Sequence, residues 1–118
     1  MALHTSEGCT INNEGFTGRL ETSNCYVQAP GQSNNAGCGI ADTSTASYGG
    51  GFNAAGGGVF ATEWTSNAIK VWFFSRPDVP SDIANGQPDP SGWGTPTAAF
   101  AGNCNIDEKF HDQQIVRY

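Results

Sequence analysis

The strongest periodic signal in the chain runs from Val59 to Phe74. Phe60, Thr62 and Trp64 alternate with Val59, Ala61 and Glu63; beyond Ser66-Asn67, Ile69, Val71 and Phe73 alternate with Lys70, Trp72 and Phe74. A period of two is that of a strand, so two strands around a Ser66-Asn67 turn are predicted. The matching register sets Trp64 opposite Ile69, Thr62 opposite Val71 and Phe60 opposite Phe73 on one face. It also sets Glu63 opposite Lys70 on the other, and a slip by one residue would destroy both matches. That second face carries Trp72 and Phe74 as well. A sheet apolar on both faces is covered on both or handles a ligand on one, and covering is the favoured reading.

Elsewhere the pattern is broken into short pieces. Residues 3 to 28 read as extended segments interrupted by Glu7-Gly8, Asn12-Asn13-Glu14-Gly15 and Ser23-Asn24. Pro30 to Gly58 is dominated by Gly, Asn, Ser, Thr and Ala, and Tyr48 and Phe52 within it favour an ordered loop over a disordered linker. Its glycines are not a phosphate cradle, because Gly57 and Gly58 stand where a P-loop needs Lys and Ser or Thr. Ser75 to Thr97 holds Pro77, Pro80, Pro88, Pro90 and Pro96 and reads as a long irregular connection, too rigid for a helix or a central strand. Trp93 sits inside it, placed either to stack on a sugar ring or to pin the loop to the core. Asp107 to Gln114 predicts a helical turn and Gln114-Ile115-Val116 the start of a further strand. The expected class is all-β, with long Gly- and Pro-rich loops.

Composition narrows the function. The 118 residues suit one domain spanning 1–118. Two Leu and two Lys against ten Thr, ten Asn, nine Ser and sixteen Gly disfavour helices. Thirteen aromatic residues argue against disorder. A formal charge of −6 removes the basic stripe that nucleic-acid binding needs. No apolar run approaches the roughly 20 residues of a membrane helix, and Met1-Ala2-Leu3-His4 has no signal-peptide character. Cys9, Cys25, Cys38 and Cys104 form no C-x-x-C pair, and His4 and His111 are far apart, so neither a metal site nor a cofactor is implied. One disulfide among Cys9, Cys25 and Cys38 is expected, with Cys104 left without a partner. No Asn-x-Ser/Thr acceptor occurs.

Several segments then resemble a known family. Ala2-Leu3-His4-Thr5-Ser6-Glu7-Gly8-Cys9-Thr10-Ile11 is similar to the "LHTSDGCTI" segment of secreted fungal family 16 glycoside hydrolases, the laminarinase or endo-1,3(4)-β-glucanase group. The stretch from Tyr48 to Ala61 resembles that group's "YGxGFNAxGGG". Glu63-Trp64-Thr65, Ile69 to Phe74, Val79 to Ile83 and Gly92 to Pro96 follow in the family's order, and the resemblance covers essentially the whole chain. It implies an antiparallel β-sandwich of jelly-roll (concanavalin-like) type, or part of one, with a sugar-binding cleft across its concave sheet, and an extracellular location.

The departure from the family is as informative. Family 16 chemistry uses an E-x-D-x-x-E strand just before the "LHTS" segment, and retaining hydrolysis needs two carboxyl groups about 5–5.5 Å apart. No Glu-x-Asp-x-x-Glu occurs here, and Glu7, Glu14, Glu21, Glu63 and Glu108 are isolated. The expectation is therefore a C-terminal-side portion of such an enzyme, beginning after the catalytic strand and stopping before the family's "FCGDWAG" segment, with no catalytic residue. His4, matching the family's "LHT" histidine, and Trp93 are the candidate substrate-binding residues; Glu63 reads as structural, facing Lys70. The partner implied is a β-1,3(4)-glucan or related polysaccharide, bound weakly and not hydrolysed. The alternatives are a non-enzymatic fungal carbohydrate-binding or immunomodulatory protein and a chain that self-associates through exposed strands.

Overall fold

The computed structural model describes residues 1–112. Eight short strands lie in three antiparallel sheets. In chain order they are β1 (Ala2–Leu3), β2 (Cys9–Ile11), β3 (Arg19–Thr22), β4 (Cys38–Ala41), β5 (Gly58–Trp64), β6 (Ile69–Ser75), β7 (Ala98–Phe100) and β8 (Gly102–Cys104). The sheet orders are β1-β4-β3, β2-β8 and β5-β6-β7. The β5–β6 hairpin has the predicted register at every position, from Gly58 opposite Ser75 to Trp64 opposite Ile69. Its turn is closed by the Thr65 N–H donating to the Ala68 carbonyl at 3.0 Å. Glu63 does sit across from Lys70, although the two side chains do not close into an ion pair.

Pairing tells which face is which. Ile69 lies opposite Phe100 and Val71 opposite Ala98, and this face meets the core of Cys38, Ile40, Phe100 and Ile106, with Leu3 and Leu20 packed against it. On the β1-β4-β3 sheet the inward residues are Leu3 opposite Cys38 and Leu20 opposite Ile40. The two three-stranded sheets thus bury their inner faces against each other, as a sandwich does. Ile40, Phe100 and Ile106 are at most 2% exposed; truncating a phenylalanine so placed costs about 3–5 kcal/mol.

The other face of the hairpin is covered, as the pattern favoured. Trp72 is 4% exposed, its indole Nε1–H donating to the Gly94 carbonyl at 3.0 Å. The 76–97 connection does this covering and is less irregular than expected. It contains 3-10 turns at Arg76–Asp78 and Pro90–Gly92 and a short helix, α2 (Ser81–Ala84). Pro77 and Pro90 sit in the first turns, where no N–H is required. The 30–58 stretch is ordered and also more regular than a loop, holding β4 and a helix, α1 (Gly49–Ala54). The helical turn near the C-terminus is α3 (Ile106–Phe110), capped by Asn105 Oδ1 accepting from the Glu108 N–H at 3.1 Å. The strand expected at Gln114-Ile115-Val116 lies outside the described residues.

The cysteine expectation is corrected in one half. Cys25 pairs with Cys38, but Cys104 is not left over: it pairs with Cys9. The reason is the two-stranded sheet that places Cys9 directly opposite Cys104, a contact across 95 residues that spacing alone could not reveal. Closing a loop that long constrains the unfolded chain more than closing the 13-residue one; chain-entropy estimates are about 4–5 against about 3 kcal/mol. Replacing Cys9 and Cys104 by Ala is therefore expected to lower the urea midpoint further than replacing Cys25 and Cys38. Equal midpoints for the two double variants would contradict this.

Candidate functional site

The outward side of the β1-β4-β3 sheet is built from what alternation leaves over. With Leu3, Leu20, Cys38 and Ile40 turned inward, Ala2, Gly39, Ala41, Arg19 and Thr22 face out, Ala2 opposite Gly39 and Arg19 opposite Ala41. The floor is thus made of small residues, and the result is a shallow, open groove of about 420 Å³ bordered by Glu21, Thr22 and Ala36. Arg19 Nε donates to Glu21 Oε1 at 3.0 Å along one side. Both side chains are largely exposed, so this pair orders the rim more than it stabilises the fold.

His4 stands at the end of β1 and is exposed. Its Nε2 lies 3.1 Å from the Ala36 carbonyl oxygen. A carbonyl accepts only, so Nε2 carries a proton and donates it to this contact, leaving Nδ1 free of it. The neighbouring backbone holds this arrangement. Gly37 has φ +67°, and a Cβ there would lie 2.1 Å from His4 Cδ2, so only glycine lets the ring lie against the loop. The Gly37 carbonyl accepts from Thr22 Oγ1 at 2.8 Å and Gln32 Nε2 at 3.1 Å, fixing the loop in turn.

Trp93 lies elsewhere. Its ring meets Trp72 edge-on at 5.2 Å and Phe74 at 5.8 Å between centroids, on the outer face of the β5-β6-β7 sheet. Since the two sheets face each other through the core, His4 and Trp93 are on opposite sides of the sandwich. The structure does not bring them together. Trp93 is anchored by a residue that the sequence did not single out: Asp82 Oδ2 accepts from the Trp93 indole Nε1–H at 2.8 Å and from the Asp89 N–H at 2.7 Å. The Asp89 N–H, helped by the indole, lowers the Asp82 carboxyl below the usual aspartate value of 3.8, against a smaller opposing effect of desolvation.

The glutamates are scattered: Glu21 on β3, Glu63 on β5, Glu108 on α3, and Glu7 and Glu14 between strands. Among the described residues no group of three or more His, Cys, Asp or Glu could hold a metal ion. The small-residue floor also went unread in the sequence. The alternation Arg19-Leu20-Glu21-Thr22 could have found β3, but Cys38-Gly39-Ile40-Ala41 is too short and too glycine-rich to stand out.

Comparison with known proteins decides the family. The profile of the XgeA-like catalytic GH16 domain matches residues 1–117. The chain belongs to glycoside hydrolase family 16. It is 51% identical to an endo-1,3(4)-β-glucanase of Arthroderma benhamiae and 44% identical to a probable glycosidase of Schizosaccharomyces pombe, over 98% of its own length in both cases. It spans only about a quarter of the length of these curated relatives, 26% and 28%. Among solved structures it is similar to laminarinase 16A of Phanerochaete chrysosporium, with a TM-score of 0.85 and 44% identity over 93% of this chain and 38% of that one. It is also similar to an elongating family 16 β-1,3-glucosyltransferase, with a TM-score of 0.83 and 40% identity over 93% of this chain and 36% of that one. These laminarinases are jelly-roll β-sandwiches, and the antiparallel sheets described above belong to that fold.

The anchoring of Trp93 carries a sign for pH. A carboxylate whose folded pKa is depressed stabilises above its unfolded value, and that contribution is lost as pH falls through the folded value. Acidification below 3.8 is thus expected to release Trp93 and change its fluorescence, and Asp82→Ala is expected to give the released spectrum at neutral pH. Superimposable spectra for the two proteins at neutral pH would refute the anchoring role.

Proposed function

We propose that this chain carries the binding side, and not the chemical step, of a fungal family 16 β-1,3(4)-glucanase domain. The observation that carries this reading is the open, small-floored groove on the outer side of the β1-β4-β3 sheet, bordered by Ala36, whose carbonyl oxygen lies 3.1 Å from His4 Nε2. A flat polysaccharide needs a shallow surface with fixed hydrogen-bonding groups at its margin; Glu21 and Thr22 stand at that margin, with Arg19 held by Glu21 and His4 against Ala36. In this reading His4 accepts a sugar hydroxyl. Trp93, on the opposite side against Trp72 and Phe74, serves a separate stacking contact in this reading. The related laminarinase 16A was solved with 6-O-glucosyl-laminaritriose in its donor and acceptor sites, which makes a β-glucan the natural ligand to test. With no Glu-x-Asp-x-x-Glu in its 118 residues, the chain by itself lacks the facing carboxylates of retaining hydrolysis. Two disulfides and the fungal relatives support an extracellular setting.

The purified chain is expected to release no reducing sugar from laminarin or lichenan while retaining weak laminarin binding. His4→Ala is expected to weaken that binding by about tenfold, the equivalent of one hydrogen bond of about 1.4 kcal/mol. Turnover by the chain alone would overturn the inactive reading, and unchanged affinity in the variant would remove His4 from the site.

A second reading is a non-enzymatic carbohydrate-binding or immunomodulatory protein that self-associates. It is favoured by Phe60 at 49% and Trp64 at 39% exposure, both on the core-side face of β5, an edge strand of its sheet. Such a face and edge invite pairing with a second copy. Sedimentation is then expected to show a dimer that Phe60→Ser weakens; a monomer at high concentration would rule it out.

A further inference from the structure

We propose that Asp42, with Tyr48, forms a second sugar-binding position at the end of the sandwich, contiguous with the open groove on the β1-β4-β3 sheet. This rests on the glucan-binding reading above and assigns residues that reading does not use. Asp42 follows β4 directly. Its Oδ1 accepts from the Ser44 N–H at 2.8 Å, but Oδ2 is buried and, among the described residues, no protein donor reaches it. A shielded carboxylate oxygen without a donor is costly, and a ligand hydroxyl would supply one.

The surroundings supply the hydroxyl groups with which a polyol pairs. Asp42 lines two adjoining pockets. One, of about 360 Å³, is rich in hydroxyls from Thr17, Ser44, Ser75 and Thr97 and also holds the Asp78 carboxylate, which accepts from Ser75 Oγ at 2.8 Å. The other, of about 390 Å³, brings together Asp42, Arg19, Ser47, Tyr48 and Phe60. Both volumes fall in the range of small-molecule sites, about 300–1,000 Å³. The Arg19 guanidinium that lines the second pocket is already paired with Glu21. A sugar, whose hydroxyls both donate and accept, can meet the Asp42 carboxylate and the surrounding hydroxyls through hydrogen bonds, the carboxylate ones charge-assisted.

Tyr48 adds the apolar half of the recognition. It is 77% exposed and borders the same pocket as Asp42, so its ring is free to meet the C–H face of a sugar ring while its hydroxyl stays hydrated. The second pocket shares Met1 and Ala41 with the groove on the β1-β4-β3 sheet. A chain lying in that groove can therefore continue to Asp42 without leaving the surface. An oligosaccharide long enough to reach both positions would gain from both.

The test is calorimetric titration of the whole chain with laminarihexaose, for the unsubstituted protein and for Asp42→Asn, Tyr48→Ala and His4→Ala. Asp42→Asn keeps an oxygen for the Ser44 N–H and turns the Oδ2 position into a donor. It and Tyr48→Ala are each expected to weaken binding about tenfold, with less loss when laminaribiose is the probe. Should Asp42→Asn fail to fold, Tyr48→Ala decides, since that side chain stands in solvent. If only His4→Ala weakens binding, the second position is refuted and the groove stands. If the unsubstituted chain binds no laminarihexaose, both readings fall. Asp42→Asn abolishing a calcium-induced rise in melting temperature, with laminarihexaose affinity unchanged, would make the pocket a cation site and refute the proposal.

Discussion

The packing of the β1-β4-β3 sheet on the β5-β6-β7 sheet is the interaction on which the rest of this molecule depends. The chain has few aliphatic residues to build it from, and the sealed core is correspondingly small: Ile40, Phe100 and Ile106 with the cysteines around them. Cys9, Cys25 and Cys38 are fully buried, so the disulfide sulfurs serve as core atoms as well as crosslinks. Cys9–Cys104 ties an N-terminal strand to a C-terminal one, and Cys25–Cys38 ties the loop before β4 to β4 itself. Covalent closure and burial thus act at the same places, and the crosslinks reinforce a thin core without themselves bridging the two larger sheets.

Once the inner faces are committed, strand alternation dictates both outer faces, and their chemistry diverges. The β5-β6-β7 sheet shows Trp72 and Phe74 outward, and the proline-bearing connection folds back to cover them, held through Asp82, Trp93 and the Gly94 carbonyl. The β1-β4-β3 sheet shows Ala2, Gly39 and Ala41 outward and is left open. Large apolar residues must be buried, whereas small ones leave backbone and flanking polar groups within reach of a ligand. Openness on one side and closure on the other follow from side-chain size at alternate positions.

That logic also marks how far the sequence could be read. Val59 to Phe74 was legible because alternation persisted over two strands and offered cross-strand matches to check; covering of its second face followed from Trp72 and Phe74. The strands of the other sheet were not, since β1 is two residues long and β4 contains glycine; periodicity needs more positions than that. The Cys9–Cys104 pairing and the role of Asp82 depend on segments meeting in space, which no local pattern encodes. His4 was singled out through family resemblance, whereas what lets its ring lie against the loop, a glycine at φ +67°, emerged only in three dimensions.

Binding and bond cleavage place different demands on a fold. Cleavage by the retaining route needs two carboxyl groups held within a narrow distance of each other, so losing one strand removes the activity entirely. Binding an extended neutral polymer is instead a sum of modest contacts, each worth about 1 kcal/mol, and it degrades gradually as contacts are removed. The small-residue surface bordered by Glu21, Thr22 and Ala36 is fixed locally, by the pairing of β3 with β4 and by the Gly37 carbonyl accepting from Thr22 and Gln32. The shape of such a surface therefore rests on a few near contacts, whereas a paired-carboxyl site rests on one narrow separation.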